Sequence, residues 1–332
     1  MTIIIAEAGV NHNGDISKAY QLVDAAVQAK ANIVKFQTFN AKSLTTYNAE
    51  KANYQKLNTA NKESQQNMLR KLELSHEDHF KIKAYCDKKG IEFLSTPFDK
   101  VSIDFLKSFN LKRWKIPSGE ITNIPYLRSI ASQRKPIILS TGMSNLEEIG
   151  NALNVIQKEG LSKDLVTVLQ CTTSYPAPFH QINLNAMKTI ANKFDVEVGF
   201  SDHTCDIFIP VAAVAMGATV IEKHFTLDKS MEGPDHKASL EPEELKNMID
   251  AIRNVECALG DGKKRLLECE IENIVIARKS IVSKNKIKKG DYFSESNITS
   301  KRPAKGISPI HWDEIIGRKA TKDYYPDEFI TW

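Results

Sequence analysis

Two histidines in this sequence each stand where a short apolar run ends. His203 lies in the segment GFSDHT (199–204), and His224 lies in IEKHFT (221–226). If both runs are parallel strands, the two imidazoles reach the same carboxyl-terminal edge, where barrel enzymes assemble their active sites. With Asp202 beside the first, they fit one divalent metal ion that keeps open positions for water and substrate. The sequence therefore predicts a metal site held by His203 and His224.

Polar residues follow most of the other apolar runs in the same way. They are Glu7, Lys35, Gln37, Thr96, Lys115, Ser118, Glu120, Ser140, Thr173, Tyr175 and Ser201. The carboxyl ends of barrel strands meet at one mouth, so these side chains are predicted to form one composite active site. The alternative is a scatter of surface positions, which would distribute them over both ends of the barrel.

Lys35 and Lys115 indicate an anionic substrate. Point charges combined with neutral hydroxyl donors in a water-poor cavity suit a small molecule that carries phosphate and carboxylate groups. The candidate hydroxyls are Thr96, Ser118, Ser140 and Ser201. Either lysine alone could instead be a core residue paired with Glu7 or Glu120.

Glu120 and Glu7 are the candidates for proton transfer. A carboxylate near cations and a metal can act as acid or base at neutral pH, because desolvation and neighbouring positive charge together set its pKa. Structural ion pairing is the alternative for both residues.

The remaining histidines have weaker functional signals. His12 stands in the turn VNHNGD and is placed either at the mouth or in a structural role. We expect His76, His79 and His311 at the surface, and His180 and His236 in loops beside the mouth. Cys205 could be a soft metal ligand, although the start of a helix is the simpler interpretation.

Eight apolar runs provide the strands that would carry these side chains. The predicted strands cover 3–6, 33–36, 92–95, 113–116, 136–139, 166–169, 197–200 and 220–221. The predicted helices cover 16–28, 76–89, 101–109, 124–132, 145–159, 184–193, 208–216 and 241–259. Eight strands that are each followed by a helix predict an α/β fold, the closed (βα)8 TIM barrel. The polar stretch 38–75 is long for a βα loop and is predicted to be a lid or a substrate wall.

The length predicts a barrel followed by a second, small domain. A (βα)8 barrel takes about 250 residues, and this chain has 332. Residues 1–260 are therefore predicted to form the barrel, 261–283 a linker, and 284–332 a small β-rich domain. In that last segment, KIKKGDYFSESNI (286–298) and KDYYPDEFIT (322–331) look like two copies of one turn–strand unit.

Composition and charge restrict the class of protein. A hydrophobic content of 42% and a charged content of 26% are typical of a globular protein with a sizeable core. The net charge of +4 comes from residues 260–332, which carry 15 Lys/Arg against 11 Asp/Glu. The segment lacks the interleaving of basic and aromatic residues that is typical of a single-strand nucleic-acid binder, so a solvated basic face is expected. The five cysteines form no CxxC pair, which suits a reducing compartment. The amino terminus has no basic signal region, and no apolar run reaches the ~18 residues of a membrane span. We expect a cytoplasmic protein with neither nucleic acid nor membrane as a partner.

Ten motifs in order along the chain resemble the sialic acid synthase family, the phosphoenolpyruvate-dependent nonulosonate synthases. They are IAEAGVNHNGD, VKFQTF, FLSTPFD, WKIPSGEITN, ILSTGM, CTTSYPAP, GFSDHT, IEKHFTLD, GPDHKASLEP and KRPAKGIS. The resemblance covers essentially the whole chain. It implies a catalytic TIM barrel and a carboxyl-terminal SAF domain, an antifreeze-like β-clip fold that caps the barrel of a partner subunit in a domain-swapped homodimer.

The resemblance also assigns roles to individual residues. It implies a divalent metal ion, Mn²⁺ or alternatively Mg²⁺ or Co²⁺, at His203 and His224. The residues implied for phosphoenolpyruvate are Lys35, Thr96, Lys115, Ser118, Ser140, Thr173 and Ser201. Those implied for an N-acylated mannosamine are Glu7, Gln37, Tyr175, Asp235 and, from the other subunit, Arg302. Thr173 is a departure, because some members of the family carry Asn at this position.

The implied reaction condenses phosphoenolpyruvate with open-chain N-acetylmannosamine and water, giving N-acetylneuraminate and phosphate by C–O cleavage. The catalytic residues would be Glu120, Lys115, Glu7 and His203. The alternative acceptor is 2,4-diacetamido-2,4,6-trideoxymannose, which would give N,N′-diacetyllegionaminate, and DHKASLEP fits both better than the pseudaminate branch. Rival interpretations are a Schiff-base aldolase with a strand-end lysine as nucleophile, a metal-dependent barrel hydrolase, and an ice- or carbohydrate-binding protein.

Overall fold

Eight parallel strands form the sheet of the first of two units in this computed structural model, which describes residues 1–59 and 63–332. The strands are β1 (Ile3–Gly9), β2 (Ile33–Thr38), β3 (Glu92–Pro97), β4 (Trp114–Ile116), β5 (Ile137–Ser140), β6 (Val166–Cys171), β7 (Glu197–Asp202) and β8 (Val220–His224). Their order is β3-β2-β1-β8-β7-β6-β5-β4, so the first and last strands pair. The prediction of a TIM barrel followed by a small second domain that contains β-strands is confirmed.

Strand register brings the predicted site residues together. Glu7 on β1 is the Cα partner of Lys35 on β2 and also of His224 on β8. On the next ladder, Ser201 on β7 is the partner of Glu222 on β8. Hydrogen-bonded strands lie about 4.8 Å apart, so parallel pairing alone sets these five side chains side by side.

The strands extend further than the apolar pattern predicts. β1 ends at Gly9, whereas the predicted strand ends at residue 6, and β8 ends at His224, whereas the predicted strand ends at 221. The pattern stops at the first polar residue, but Glu7, Glu222 and His224 are buried strand residues inside the barrel. Several of the predicted site residues therefore lie within the strands and do not follow them.

The helices of this unit are α1 (Ile16–Gln28), α2 (Ala41–Leu44), α3 (Asn53–Asn58), α4 (Gln65–Leu72), α5 (His76–Lys89), α6 (Lys100–Leu106), α7 (Ile124–Ala131), α8 (Leu146–Lys158), α9 (Ala186–Phe194), α10 (Phe208–Ala215) and α11 (Pro242–Leu259). α1 and α5 have the predicted bounds because both carry side-chain N-caps, Asp15 and Ser75. α5 ends at Gly90, which adopts the left-handed conformation with φ 75°. The core cluster joins strand residues such as Phe36 and Phe200 to helix residues such as Leu22 and Ile82.

The segment between β2 and α5, residues 39–75, contains three short helices, α2, α3 and α4. We call this segment the β2 excursion; residues 60–62 within it lie outside the described residues. Its sequence is polar, yet Phe39, Met68 and Leu72 are buried and pack against Val10 at the barrel mouth. The excursion is therefore anchored to the barrel by a small apolar cluster of its own.

The second unit, Asp261–Trp332, has α12 (Ile271–Ala277), the antiparallel pair β9 (Ser280–Ser283) and β10 (Ile298–Lys301), and α13 (Trp312–Ile315). Ile281, Ile287, Phe293 and Tyr324 belong to its own apolar core. The linker predicted at 261–283 differs from the structure, because Ser280–Ser283 pairs as a strand of this unit. Within the part of the chain that the structure describes, no helix combines the length and apolar character needed to cross a bilayer.

Candidate active site

His203 and His224 meet at the barrel mouth, with ring centroids 5.4 Å apart. His203 Nδ1 lies 2.7 Å from the Thr172 carbonyl oxygen, to which it donates, so Nε2 is left for a ligand. His224 Nδ1 is buried, has no hydrogen-bond partner, and lies 4.0 Å from Asp235 Oδ2. Burial holds the pKa of His224 well below its usual range. The imidazole is therefore neutral, which is the form that binds a metal ion.

These donors fit a divalent metal ion held by two imidazoles. Among residues 1–59 and 63–332, no group of three or more His, Cys, Asp or Glu side chains is arranged to hold a metal. Two protein ligands would leave the other coordination positions to water and substrate, as catalytic sites require. The identity of the ion stays a prediction.

Two buried lysines and two buried carboxylates form the floor of the mouth. Lys35 Nζ lies 2.8 Å from Glu7 Oε2 and 3.5 Å from Glu222 Oε2. Lys115 Nζ lies 3.8 Å from Glu222 Oε1. Glu222 thus lies between the two lysines that the sequence predicts to bind anions.

Sequence reasoning missed Glu222, because the predicted strand ends at residue 221 and His224 drew the assignment at this strand end. One signal could have identified it. Residues two apart on a strand face the same side, so a carboxylate two positions before a predicted metal ligand points into the same barrel interior.

The lysines set the protonation of the carboxylates. Burial by itself would raise the pKa of Glu222, but Lys115 and Lys35 hold that pKa at about 2. Burial raises the pKa of Glu7 to about 7, although Lys35 opposes the shift. Glu222 is therefore ionised at neutral pH, whereas Glu7 is poised to exchange a proton.

The lysines differ from each other in the same way. Burial would lower the pKa of Lys35, but Glu222 and Glu7 hold it above its usual value. For Lys115, burial prevails over the attraction of Glu222, and the pKa falls. Lys35 therefore stays a cation, whereas Lys115 gives up its proton more readily.

Three of the predicted hydroxyls contact this floor. Thr96 Oγ1 accepts a hydrogen bond of 2.8 Å from Lys35, and Ser140 Oγ accepts one of 2.6 Å from Lys115. Ser201 donates to Glu222 Oε1 at 3.0 Å. Ser118 and Thr173 belong to the rim, where both approach Gly142: a Cβ added there would lie 2.1 Å from Thr173 Oγ1. A glycine is needed at 142 to let them approach.

Above the floor lies a cavity of 390 Å³. Its polar lining includes Gln37, Glu120, Tyr175, His224 and Asp235. This volume is at the small end of the range for ligand pockets and suits one monosaccharide-sized molecule. Burial raises the pKa of Asp235 to about 6, so this carboxyl group can carry a proton near neutral pH. Burial also raises the pKa of Glu120.

Tyr54 is a second residue that sequence reasoning missed. It comes from α3 in the β2 excursion and lines the cavity, and its ring stacks on Tyr175 with centroids 5.0 Å apart. Tyr175 in turn lies 4.1 Å from the His203 ring. Asn58, at the end of α3, donates to the Pro234 carbonyl at 3.0 Å. The length of the stretch 38–75 predicts a lid or a substrate wall, but nothing in its local sequence singles out Tyr54 as a residue of that wall.

The expectation that His79 is a surface residue is wrong. Its side chain is 1% exposed, and Nε2 lies 2.9 Å from Thr38 Oγ1. His79 sits on the face of α5 that packs on the barrel, where Thr38 and Ser95 provide a polar contact. His12 is also buried and accepts a hydrogen bond from Gly14 N, which supports the structural role.

Arg302 belongs to the second unit. It is exposed, and its Nε donates to the Ala277 carbonyl of the same unit at 2.9 Å. Its assignment to the sugar stays a prediction.

Comparison with known families identifies the barrel. Residues 22–264 match the model of the NeuB family. The chain belongs to the NeuB family. Residues 278–332 match the SAF domain, so the resemblance to sialic acid synthases with a carboxyl-terminal SAF domain is confirmed, and the chain is an enzyme that forms a C–C bond.

The relatives of this NeuB-family chain are similar over nearly their whole lengths. The N,N′-diacetyllegionaminic acid synthase of Campylobacter jejuni is 55% identical, covering 99% of this chain and 98% of its own. The Legionella pneumophila protein of the same name is 46% identical over 99% and 93%. The crystal structure of a Leptospira borgpetersenii N-acetylneuraminic acid synthetase, solved with citrate, is 34% identical over 82% and 90%, with a TM-score of 0.72.

Proposed function

We propose that this enzyme condenses phosphoenolpyruvate with 2,4-diacetamido-2,4,6-trideoxymannose and water, giving N,N′-diacetyllegionaminate and phosphate. The floor of Lys35, Lys115 and Glu222 beneath the paired imidazoles of His203 and His224 is the observation that carries the reaction type. The two legionaminic acid synthases, at 55% and 46% identity, support this acceptor over N-acetylmannosamine. The acceptor first expected from the sequence becomes the second candidate, supported by the 34% identical N-acetylneuraminic acid synthetase.

Phosphoenolpyruvate would bind at the two lysines. Its phosphate and carboxylate need cationic and hydroxyl donors, and Lys35, Lys115, Thr96, Ser140 and Ser118 present them within or beside a buried floor. Charge-assisted hydrogen bonds of this kind are stronger in a water-poor site. Glu222 keeps the empty floor close to neutral and holds the lysines in place by its attraction.

The acceptor would occupy the cavity above. Gln37, Tyr175 and Asp235 would orient its open chain, and the metal ion, when bound at His203 and His224, would polarise the aldehyde as a Lewis acid. C3 of phosphoenolpyruvate then attacks the aldehyde carbon, and water adds at C2. Loss of phosphate breaks the C2–O bond and leaves the keto acid.

Glu7 and Glu120 would handle the protons. Glu7, with a pKa of about 7, can give one to the new hydroxyl oxygen. Glu120 lines the cavity and accepts a hydrogen bond of 2.7 Å from Asn123. It would take the proton of the water that attacks C2.

We also propose a manganese-dependent, cytoplasmic, domain-swapped homodimer in which Arg302 of the second subunit completes the sugar site. The second unit spans only residues 261–332, and domains of about 60 residues are marginal on their own, which favours docking on another surface.

Phosphate release tests the proposal directly. The full chain is incubated with phosphoenolpyruvate, Mn²⁺ and one candidate sugar at a time. The 2,4-diacetamido sugar should have the highest kcat/KM, and phosphate should require both substrates. Higher efficiency with N-acetylmannosamine would transfer the assignment to the second candidate. Phosphate formed without any sugar would contradict the condensation.

A further inference from the structure

One wall of the 390 Å³ cavity is apolar. Its members are Val10, Phe39, Leu44, Met68, Leu69, Leu72 and Phe98, and we call them the apolar wall. They pack against one another as a cluster separate from the barrel core. Met68 and Leu72 lie one turn apart on α4, and Leu44 comes from α2, so most of the wall belongs to the β2 excursion.

The polar groups that the excursion adds to this cavity are neutral, and most are already engaged. Thr45 Oγ1 donates to the Ala41 carbonyl at 3.1 Å, and Gln55 Oε1 accepts from Ala52 N at 3.0 Å. Gln65 also lines the cavity, and its side-chain amide has no hydrogen-bond partner among the described residues. An amide has one acceptor and two donor hydrogens, which complement a secondary amide of a ligand.

No lysine or arginine occurs among the described residues that line the cavity, and its carboxyl groups belong to Glu120 and Asp235. A phosphate held against the apolar wall would therefore be desolvated without a cation from the described lining of the barrel and beside carboxylates, which is strongly unfavourable. A hydroxyl against the apolar wall would lose its water partners, a smaller penalty.

From this wall we infer that the β2 excursion selects the acceptor by the group at its C6, favouring a methyl group over a hydroxymethyl group and excluding a phosphorylated one. The inference rests on the proposed function and specifies which part of the protein discriminates. The free amide of Gln65 fits the additional acetamido group of the same sugar.

The experiment separates the effect of the group at C6 of the sugar from the effect of the group at C4. Three acceptors are compared by phosphate release with the full chain, phosphoenolpyruvate and Mn²⁺: N-acetylmannosamine, its 6-deoxy analogue, and its 6-phosphate. A hydrophobic pocket rejects an added hydroxyl by at most about 100-fold. We expect kcat/KM for the 6-deoxy sugar to exceed that for N-acetylmannosamine by about 10-fold to 100-fold, and no turnover of the 6-phosphate.

Leu69→Gln tests the wall itself, because Leu69 is only partly buried and its replacement can fold. The variant should lose at least about five-fold of the preference for the 6-deoxy sugar. Leu69→Met preserves volume and apolar character and should keep the preference. Leu57→Gln is the matched control, since Leu57 is also in the excursion but is 82% exposed, and it should behave like the unaltered chain.

The outcomes separate this inference from the proposed function. If neither these three acceptors nor the 2,4-diacetamido sugar releases phosphate, the condensation itself is rejected, and the inference with it. If only the 2,4-diacetamido sugar releases phosphate, the condensation stands and selection at C6 is overturned. If the acceptors turn over but the unaltered chain prefers the 6-hydroxyl, or Leu69→Gln keeps the full preference, the condensation stands and selection by the apolar wall is overturned.

Discussion

Glu222 Oε2 lies 3.5 Å from Lys35 Nζ at the floor of the barrel mouth, and both side chains are more than nine-tenths buried. Lys115 lies 3.8 Å from the other oxygen of the same carboxylate. One anion therefore lies beside two buried cations, and Glu7, with a pKa of about 7, carries only part of a second negative charge at neutral pH. Removal of one partner from such a group leaves an uncompensated buried charge.

Glu222→Gln should lower the free energy of unfolding by about 3–5 kcal/mol, because the neutral amide leaves Lys115 without a carboxylate. Urea denaturation at pH 7 measures the effect. Glu77→Gln removes a carboxylate that is 77% exposed from its pair with Lys81, and it should cost less than about 1 kcal/mol. Equal effects of the two substitutions would show that Glu222 does not compensate the lysines.

Chelation should abolish turnover if His203 and His224 hold the metal, and Mn²⁺, Co²⁺ or Mg²⁺ should restore it. His224→Ala should weaken Mn²⁺ binding in calorimetry with the fold intact, because a residue at the mouth contributes little to barrel packing. His76→Ala, at an exposed histidine, is the control and should bind as before. Full activity in a rigorously metal-free sample would refute the site.

Tyr54→Ala should raise the KM for the sugar by about ten-fold or more, since stacked aromatic pairs contribute about 0.5–1.5 kcal/mol beyond the area that they bury. The KM for phosphoenolpyruvate should change little, because Tyr54 lines only the upper cavity. Tyr54→Phe retains the ring and should recover most of the affinity. Tyr47→Ala, in the same excursion but 77% exposed, is the control. An equal rise in both KM values would indicate a general loss of structure.

Arg302→Ala should raise the KM for the sugar far more than that for phosphoenolpyruvate if the second unit caps a partner's barrel. Mixing Arg302→Ala subunits with subunits carrying Lys115→Ala tests whether the second unit of one subunit completes the active site of the other. In a two-fold dimer, heterodimers would contain one intact composite site, so activity should return. Verified subunit exchange without recovery would mean that the second unit caps its own barrel or takes no part.

Acid should destabilise the fold through His12. Burial lowers the pKa of His12 to about 3, so between pH 6.5 and 3 the unfolded chain binds a proton that the folded chain does not. The free energy of unfolding should therefore fall as the pH drops, by about 2 kcal/mol from this residue at pH 5. His12→Asn retains an acceptor for Gly14 N. It should remove the contribution of this residue to the pH dependence of the free energy of unfolding. The same loss between pH 7 and pH 5 in the variant would contradict the assignment.

The order of strands and helices and most of the site follow from the amino-acid sequence alone. Alternating apolar runs and helical periods specify eight βα units, and each unit brings its strand end to the same mouth. The sequence therefore predicts Lys35, Lys115, His203 and His224 at that mouth. These are local patterns. Because the parallel strands pair side by side around the barrel, the residues at their carboxyl ends come close together in space.

The charge balance of the floor, and the identity of the excursion residues that line the mouth, depend on the tertiary structure. Glu222 follows a short apolar run in the sequence, and its pKa depends on Lys115 and Lys35, which are distant in sequence. Tyr54 and the apolar wall come from a polar stretch without a clear period, so their position depends on contacts with Tyr175 and Val10 that no local pattern records. Burial and through-space electrostatics depend on residues far apart in the chain, which is why the strand ends could be read from the sequence and the excursion could not.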